Sequence, residues 1–301
     1  MMKTAAIGEL LYDRFPDFDR LGGAPGNVAA MLAQFGANSA LITAVGDDAP
    51  GRQAVREIAG RGVNTDFIQR NSRPTGEVLI SLDDAGKPAY RFAADSAWDH
   101  LEFSPELRNF AATLDAVCFG SLGQRGNSAA AIRAFIAATR PGCLRVFDVN
   151  LRAPYYTPET VLASLAMANI LKLNDEELPI LARICSLPPE KLIAALLADN
   201  IELVALTRGA EGADIRSCTE FHHQPAAPLE RRADTVGAGD AFTAALIAGL
   251  LQKRPIAAIS RHATLVAAYV CSQHGATPQL PGELAVISTP RPASELSGKI
   301  R

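Results

Sequence analysis

DTVGAGDAF, Asp234–Phe242, runs directly into the apolar stretch TAALIAGLLQ. Two glycines one residue apart stand between two aspartates at the mouth of a predicted helix. A helix N-terminus has unpaired N–H groups and a partial positive charge, so it attracts anions. Gly237, Ala238 and Gly239 leave those groups almost unobstructed and suit an anion hole. Asp240 falls in the first turn beside it, where a carboxylate can take the proton of a hydroxyl attacking a bound anion. A phosphoryl group in transfer is the natural anion, because its loose transition state asks mainly for positioning and electrostatic stabilisation. A glycine-rich turn with an aspartate cap fits this string equally well when it is read alone.

Outward from this stretch, strand-like and helix-like segments alternate. Thr4–Leu10, Ala40–Val45, Ala116–Leu122, Leu144–Val149, Ile170–Leu173 and Leu203–Thr207 read as short strands, most of them buried parallel strands. Asn27–Phe35, Gly51–Ala59, Ala129–Thr139, Thr157–Ala168 and Pro189–Ala198 carry helical patterns. Thr157-Pro158-Glu159 and Ser104-Pro105-Glu106 each offer a cap followed by proline at the first helical position. The expected fold class is α/β, a doubly wound and mostly parallel sheet.

Two places break the rhythm. Tyr12–Asp19 is polar and aromatic. Glu77–Phe92, EVLISLDDAGKPAYRF, reads as a hairpin turning at DDAGK, with Val78, Ile80 and Leu82 on one face. A hairpin does not belong in a parallel sheet, so residues 11–24 and 75–95 are expected to form a discontinuous β lid on a single domain spanning 1–301. The tail Arg291–Arg301 is polar and is expected to fray.

Composition narrows the function. The 301 residues are 48% hydrophobic and 20% charged, with a net charge of -3. That profile is globular, and it lacks the basic excess of a nucleic-acid binder. No apolar run approaches the roughly 20 residues of a membrane span. The N-terminus meets acids too early for a signal peptide. Five scattered cysteines without a C-x-x-C pair suggest neither a zinc site nor a disulfide framework, so a cytoplasmic location is expected. The His222-His223 doublet reads as a solvated pair on a surface strand rather than a metal site. Neither G-x-x-x-x-G-K-[ST] nor G-x-G-x-x-G occurs, so the P-loop and dinucleotide fingerprints are missing.

Five motifs in order resemble one family. DTVGAGDAF looks like the C-terminal signature of the ribokinase-like, or PfkB-type, carbohydrate kinases. IGELLYDRFPDFDRLGGAPGNVAAMLAQFG (Ile7–Gly36) resembles the sugar-binding region of fructokinase-like members. FDVNLR (Phe147–Arg152), LKLNDEE (Leu171–Glu177) and LTRGAEGA (Leu206–Ala213) follow in the family's order and spacing. The resemblance spans essentially the whole chain. It implies an ATP-dependent sugar kinase, with fructose as the expected sugar. Ribose, a nucleoside or 2-keto-3-deoxygluconate are the alternatives, and a sugar-binding regulator without turnover is a reading from another class.

By this resemblance Asp240 matches the catalytic base, and Gly237, Ala238 and Gly239 the anion hole. Asp13, Gly22, Gly23 and Asn27 fall on substrate-binding positions; Arg152, read from its place after a strand rather than from the resemblance, is a further substrate-binding candidate that suits phosphate or carboxylate, with a surface ion pair as the rival. Asn174, Thr207, Gly209 and Gly212, with Gly239, fall on nucleotide positions. Glu177 matches an acid that acts on magnesium partly through water. The carbonyls of Asp234 and Val236, with the Ser272–Ala276 loop, resemble a monovalent-cation site. ATP, Mg2+ and K+ are thus the implied cofactors, and fructokinase-like relatives imply a homodimer paired through the lid. The departures are Val236 for a frequent Thr, Val149 for a common Pro, Gly26 for Ala or Leu, and Thr264 where His or Asn often lies near adenine. Trp98-Asp99-His100 is expected to pack rather than bind.

Overall fold

The computed structural model describes residues 1–15, 17–82, 88–229, 233 and 235–286. In chain order the elements begin β1 (Lys3–Ile7), β2 (Leu11–Arg14), β3 (Asp19–Gly22), α1 (Ala24–Gln34), β4 (Asn38–Gly46), α2 (Ala49–Gly60), β5 (Ile68–Asn71), β6 (Gly76–Leu82) and β7 (Pro88–Phe92). They continue with α3 (Pro105–Ala111), β8 (Ala116–Gly120), α4 (Ser128–Ala137), β9 (Leu144–Asp148), α5 (Pro158–Met167), β10 (Ile170–Asn174), α6 (Glu177–Ile184) and α7 (Pro189–Ala198). The last are β11 (Leu203–Thr207), β12 (Ala213–Ser217), β13 (Phe221–Gln224), α8 (Ala238–Leu251) and α9 (Ile256–Ser272).

Nine strands make the main sheet, in the order β13-β12-β11-β10-β9-β8-β1-β4-β5. All neighbours from β11 to β5 are parallel, and β12 and β13 close one edge antiparallel. Apolar residues on both faces of the strands feed two clusters. One packs α1, α8 and α9 against the sheet, and the other packs helices α3 to α7. The proline-led starts behave as their chemistry predicts: the Thr157 and Ser104 hydroxyls accept the Thr160 and Leu107 N–H groups at 3.2 Å.

Strand order reverses between β1 and β8. Sequence runs outward through β4 and β5 on one side and through β8 to β11 on the other. In such sheets the crevice at the carboxyl ends of the strands at this point receives ligands. The short loops after β1, β8, β9 and β10 all meet there.

The segments around β2, β3, β6 and β7 form a second sheet of four strands, in the order β3-β2-β6-β7. The hairpin read from Glu77–Phe92 pairs antiparallel, from Val78 opposite Phe92 to Leu82 opposite Pro88. It is not isolated, because β2 lies parallel against β6. Val78 is buried while Leu79 on the opposite face is 47% exposed, as alternation dictates. The DDAGK turn and the Arg291–Arg301 tail lie outside the described residues.

Candidate active site

Helix α8 begins at Gly237, whose φ of 81° is left-handed. A side chain there is doubly excluded, since a Cβ would stand 2.5 Å from Ala276. That close approach docks the loop after α9 onto the Val236–Gly237 turn. Ala238 N–H points at the Thr235 carbonyl at a long 3.4 Å. Helix geometry leaves the Gly239 and Asp240 N–H groups without intrahelical acceptors, the arrangement an anion hole would need.

Asp240 follows in the first turn, and Asn27 Nδ2 donates to its Oδ2 at 2.8 Å. These residues are 213 positions apart in the chain. They meet because α1 and α8 pack side by side with their N-termini at the same end. Gly26 faces away from α8: a Cβ there would lie 3.1 Å from Leu10 Cδ1 and 3.6 Å from Ile58 Cδ1. Asp240 is partly open along the crevice but enclosed around its carboxyl. Burial pushes its pKa up to about 6, with the Asp148 charge adding to the rise. Asn27, Lys172 and Arg152 pull the other way.

Beneath Gly239 lies a buried charge cluster absent from the motif-based reading of the site. Lys172 Nζ would be 3.1 Å from a Cβ on Gly239. It is paired with Asp148 Oδ1 at 3.0 Å, and Thr243 Oγ1 donates to Asp148 Oδ2 at 2.7 Å. Burial disfavours the ammonium, but the carboxylates of Asp148, Glu177 and Asp240 outweigh it and hold its pKa above the ordinary lysine value. The signal was in the sequence as a lysine inside the apolar strand ILKLN. Val149 explains itself here: its N–H donates to the Lys172 carbonyl at 3.0 Å, a bond that proline could not make.

Asn174 and Glu177 close the next strand end reciprocally. Glu177 Oε2 accepts the Asn174 N–H at 2.9 Å, and Asn174 Oδ1 accepts the Glu177 N–H at 2.8 Å. Glu177 Oε1 accepts the Leu151 N–H at 2.9 Å, which pins the loop that carries Arg152. Burial raises the Glu177 pKa, against the pull of Lys172. Among the described residues no group of three or more His, Cys, Asp or Glu side chains could hold a metal ion. Any magnesium here would therefore take most of its ligands from phosphate and water, with Glu177 reached at most through water.

The residues expected on the sugar side lie on β2 and β3, at the start of α1 and on the loop after β9. Asp13 lies on β2 opposite Arg20, and a Cβ on Gly22 would stand 2.7 Å from its Oδ2. Gly23 has φ 105°, and a Cβ there would meet the Glu9 carbonyl at 2.5 Å. Arg152 is exposed on the loop after β9, and its charge reaches both Asp240 and Glu9. A cleft of about 370 Å³ lies along the same loop and lid, lined in part by Phe92, Arg125 and Tyr155. Trp98 and Asp99 pack: the Arg125 guanidinium sits 4.2 Å above the indole and pairs with Asp99 at 2.6 Å.

Thr207, Gly209 and Gly212 sit apart, on the β11–β12 turn two strands from β9. Gly209 and Gly212 have φ of 51° and 98°, and Arg208 N–H closes the turn on the Gly212 carbonyl at 2.8 Å. Thr264 is buried on α9. Val236 is 37% exposed, and Asp234 lies outside the described residues.

The sequence pattern of the pfkB family carbohydrate kinases matches residues 19–282. The chain belongs to that family. Fructokinase of Vibrio alginolyticus is 31% identical over 278 residues, covering 87% of this kinase and 86% of the relative. Fructokinase of Klebsiella pneumoniae is 30% identical over 264 residues, covering 82% and 84%. A sugar kinase of Pyrococcus horikoshii, solved in complex with ATP, is 28% identical, with a TM-score of 0.79 over 91% of this kinase and 93% of that chain. The protein is an ATP-dependent sugar kinase with the ribokinase-like fold. No helix among its described residues is long and apolar enough to cross a membrane.

Proposed function

We propose that this kinase phosphorylates fructose at a primary hydroxyl. The observation that carries the chemistry is the Asn27–Asp240 contact at the mouth of α8, beside Gly237–Gly239 and above Lys172. The sugar hydroxyl lies between Asp240 and the terminal phosphoryl group of ATP. Its oxygen forms a bond to phosphorus as the bond to the bridging oxygen of ADP breaks, and the proton passes to Asp240. The base need only orient the hydroxyl and accept its proton late. The α8 N–H groups and the Lys172 ammonium face the developing charge, which is the largest lever such a site has.

Asp13, Gly22, Gly23, Asn27 and Arg152 hold the sugar. Asn174, Thr207, Gly209 and Gly212 serve the nucleotide. Magnesium brought with the nucleotide would supply charge neutralisation, and Glu177 would help hold it, partly through water. The carbonyls of Asp234 and Val236 would hold a monovalent cation. The four-stranded sheet closes over the sugar and pairs two copies of the chain in a homodimer. The choice of fructose rests on the fructokinase relatives and on the GELLYDRFP…LGGAPGN stretch.

One assay tests these assignments. ADP release is measured over a panel of sugars, with and without magnesium, and with potassium against a bulky organic cation. Fructose gives the highest kcat/KM, in the presence of magnesium and with faster turnover in potassium. Ribose or a nucleoside exceeding fructose by about tenfold, or ~1.4 kcal/mol of transition-state binding, overturns the substrate. Magnesium independence, or equal rates in the two monovalent cations, removes the corresponding ion. Sugar binding with no ADP release would make the chain a non-catalytic regulator.

A further inference from the structure

Glu9 is a carboxyl with no role in any motif above. It lies two residues past the end of β1, beside the point where strand order reverses, and is 3% exposed. Its Oε1 accepts the Ala24 N–H, the first of α1, at 3.3 Å. Its Oε2 is buried without a hydrogen-bond partner among the described residues. The surrounding backbone is fitted to it. Gly23 lies so near its carbonyl that no Cβ is tolerated, and a Cβ on Gly123 would stand 3.1 Å from Oε2. Glu9 thus touches the glycine pair expected on the sugar side and the helix that presents Asn27 to Asp240.

We propose that Glu9 is a positioning residue of the transfer site, which fastens the N-terminus of α1 to the end of β1 and thereby holds Gly23 and Asn27 in register with Asp240. A buried carboxylate with one long hydrogen bond and one orphan oxygen is costly. The charged and titratable groups facing it argue the same way. Asp240 on α8 opposes its ionisation and the Cys118 thiol on β8 is neutral, while the Glu9 and Ala24 backbone N–H groups and, on the loop after β9, Arg152 favour the charged form without offsetting burial. Burial, with the Asp240 charge, pushes the Glu9 pKa up to about 7. The phosphates of ATP add further negative charge to the crevice and favour the neutral form still more. As pH rises through about 7 the unloaded enzyme therefore gains a second buried carboxylate beside Asp240, and its productive binding of an anionic substrate falls.

This inference rests on the kinase reading, and the test uses whichever sugar the wild-type enzyme turns over, so that a wrong sugar fails already with wild type. Glu9→Gln keeps the acceptor for Ala24 and cannot ionise. Glu9→Asp ionises but is one methylene short of Ala24. Thermal melting and ATP binding confirm that each variant is folded. Between pH 6.5 and 8.5, kcat/KM of wild type falls at least about threefold relative to Glu9→Gln, the scale of one interfering ionisation. Glu9→Asp raises the sugar KM at least about tenfold, with a smaller effect on kcat, because the sugar side loses its register. Parallel pH profiles for wild type and Glu9→Gln, or an unchanged sugar KM in Glu9→Asp, would overturn the proposal.

Discussion

Asp240 can act as a base only when ionised, and its surroundings decide where that happens. Burial and the Asp148 charge raise its pKa from 3.8 to about 6, so the base is lost as pH falls through about 6. The sign follows from the form required: a raised pKa moves the acid limb of the rate profile up, not down. The kcat/KM profile is predicted to bend near pH 6, and a bend near 4, the ordinary aspartate value, would contradict the enclosure of this carboxyl. Lys172 pulls the Asp240 pKa down. Lys172→Met therefore moves the bend to higher pH while lowering kcat. At this scale the sequence was partly legible. All four stand in the quoted motifs, but only Asp240 and Asn27 carry a role there; Lys172 and Glu9 become site residues only when distant strand ends and helix starts converge. Neither carries a local pattern that separates it from a stray charge in an apolar run.

At the scale of elements, the strands and helices flanking the crevice were readable because their apolar periods and proline-led caps are strong. Strand Leu203–Thr207 and helix Pro189–Ala198 match their sequence reading to the residue. The strand Ala213–Ser217 escaped, since ADIRS is polar and only half-buried, whereas the surface strand read at His222-His223 is Phe221–Gln224. The Glu77–Phe92 hairpin was legible from alternation, but its parallel pairing with Leu11–Arg14 was not, because no local signal links segments 63 residues apart. That pairing matters physically: a lone hairpin is marginal in water, and four strands with a buried Val78 are not. Leu79 remains exposed on the outer face, where a second copy would cover it. If the sheet is both lid and interface, light scattering at micromolar concentration gives the dimer mass. Replacing residues 77–92 by a short Gly/Ser link weakens sugar binding and raises ATP hydrolysis relative to sugar phosphorylation, because water enters the open site. A monomer whose lid deletion keeps full activity would show the sheet to be neither.

Across the whole molecule, function follows from where the sheet reverses. The loops of β1, β8, β9 and β10 converge at one point, and α1 and α8 aim their N-termini at it. This brings one carboxylate, one amide, a glycine cradle and a buried ammonium together from segments more than 200 residues apart. The alternating pattern announces such a sheet but not its strand order, which is why motif resemblance rather than periodicity pointed to the site. The central claim is that Asp240 is the base at this convergence. The most direct test is turnover by Asp240→Asn with ATP affinity measured alongside. The account predicts a kcat lower by at least about 100-fold, the low end of a general-base contribution, with ATP binding little changed. A folded variant with near-normal kcat would contradict it.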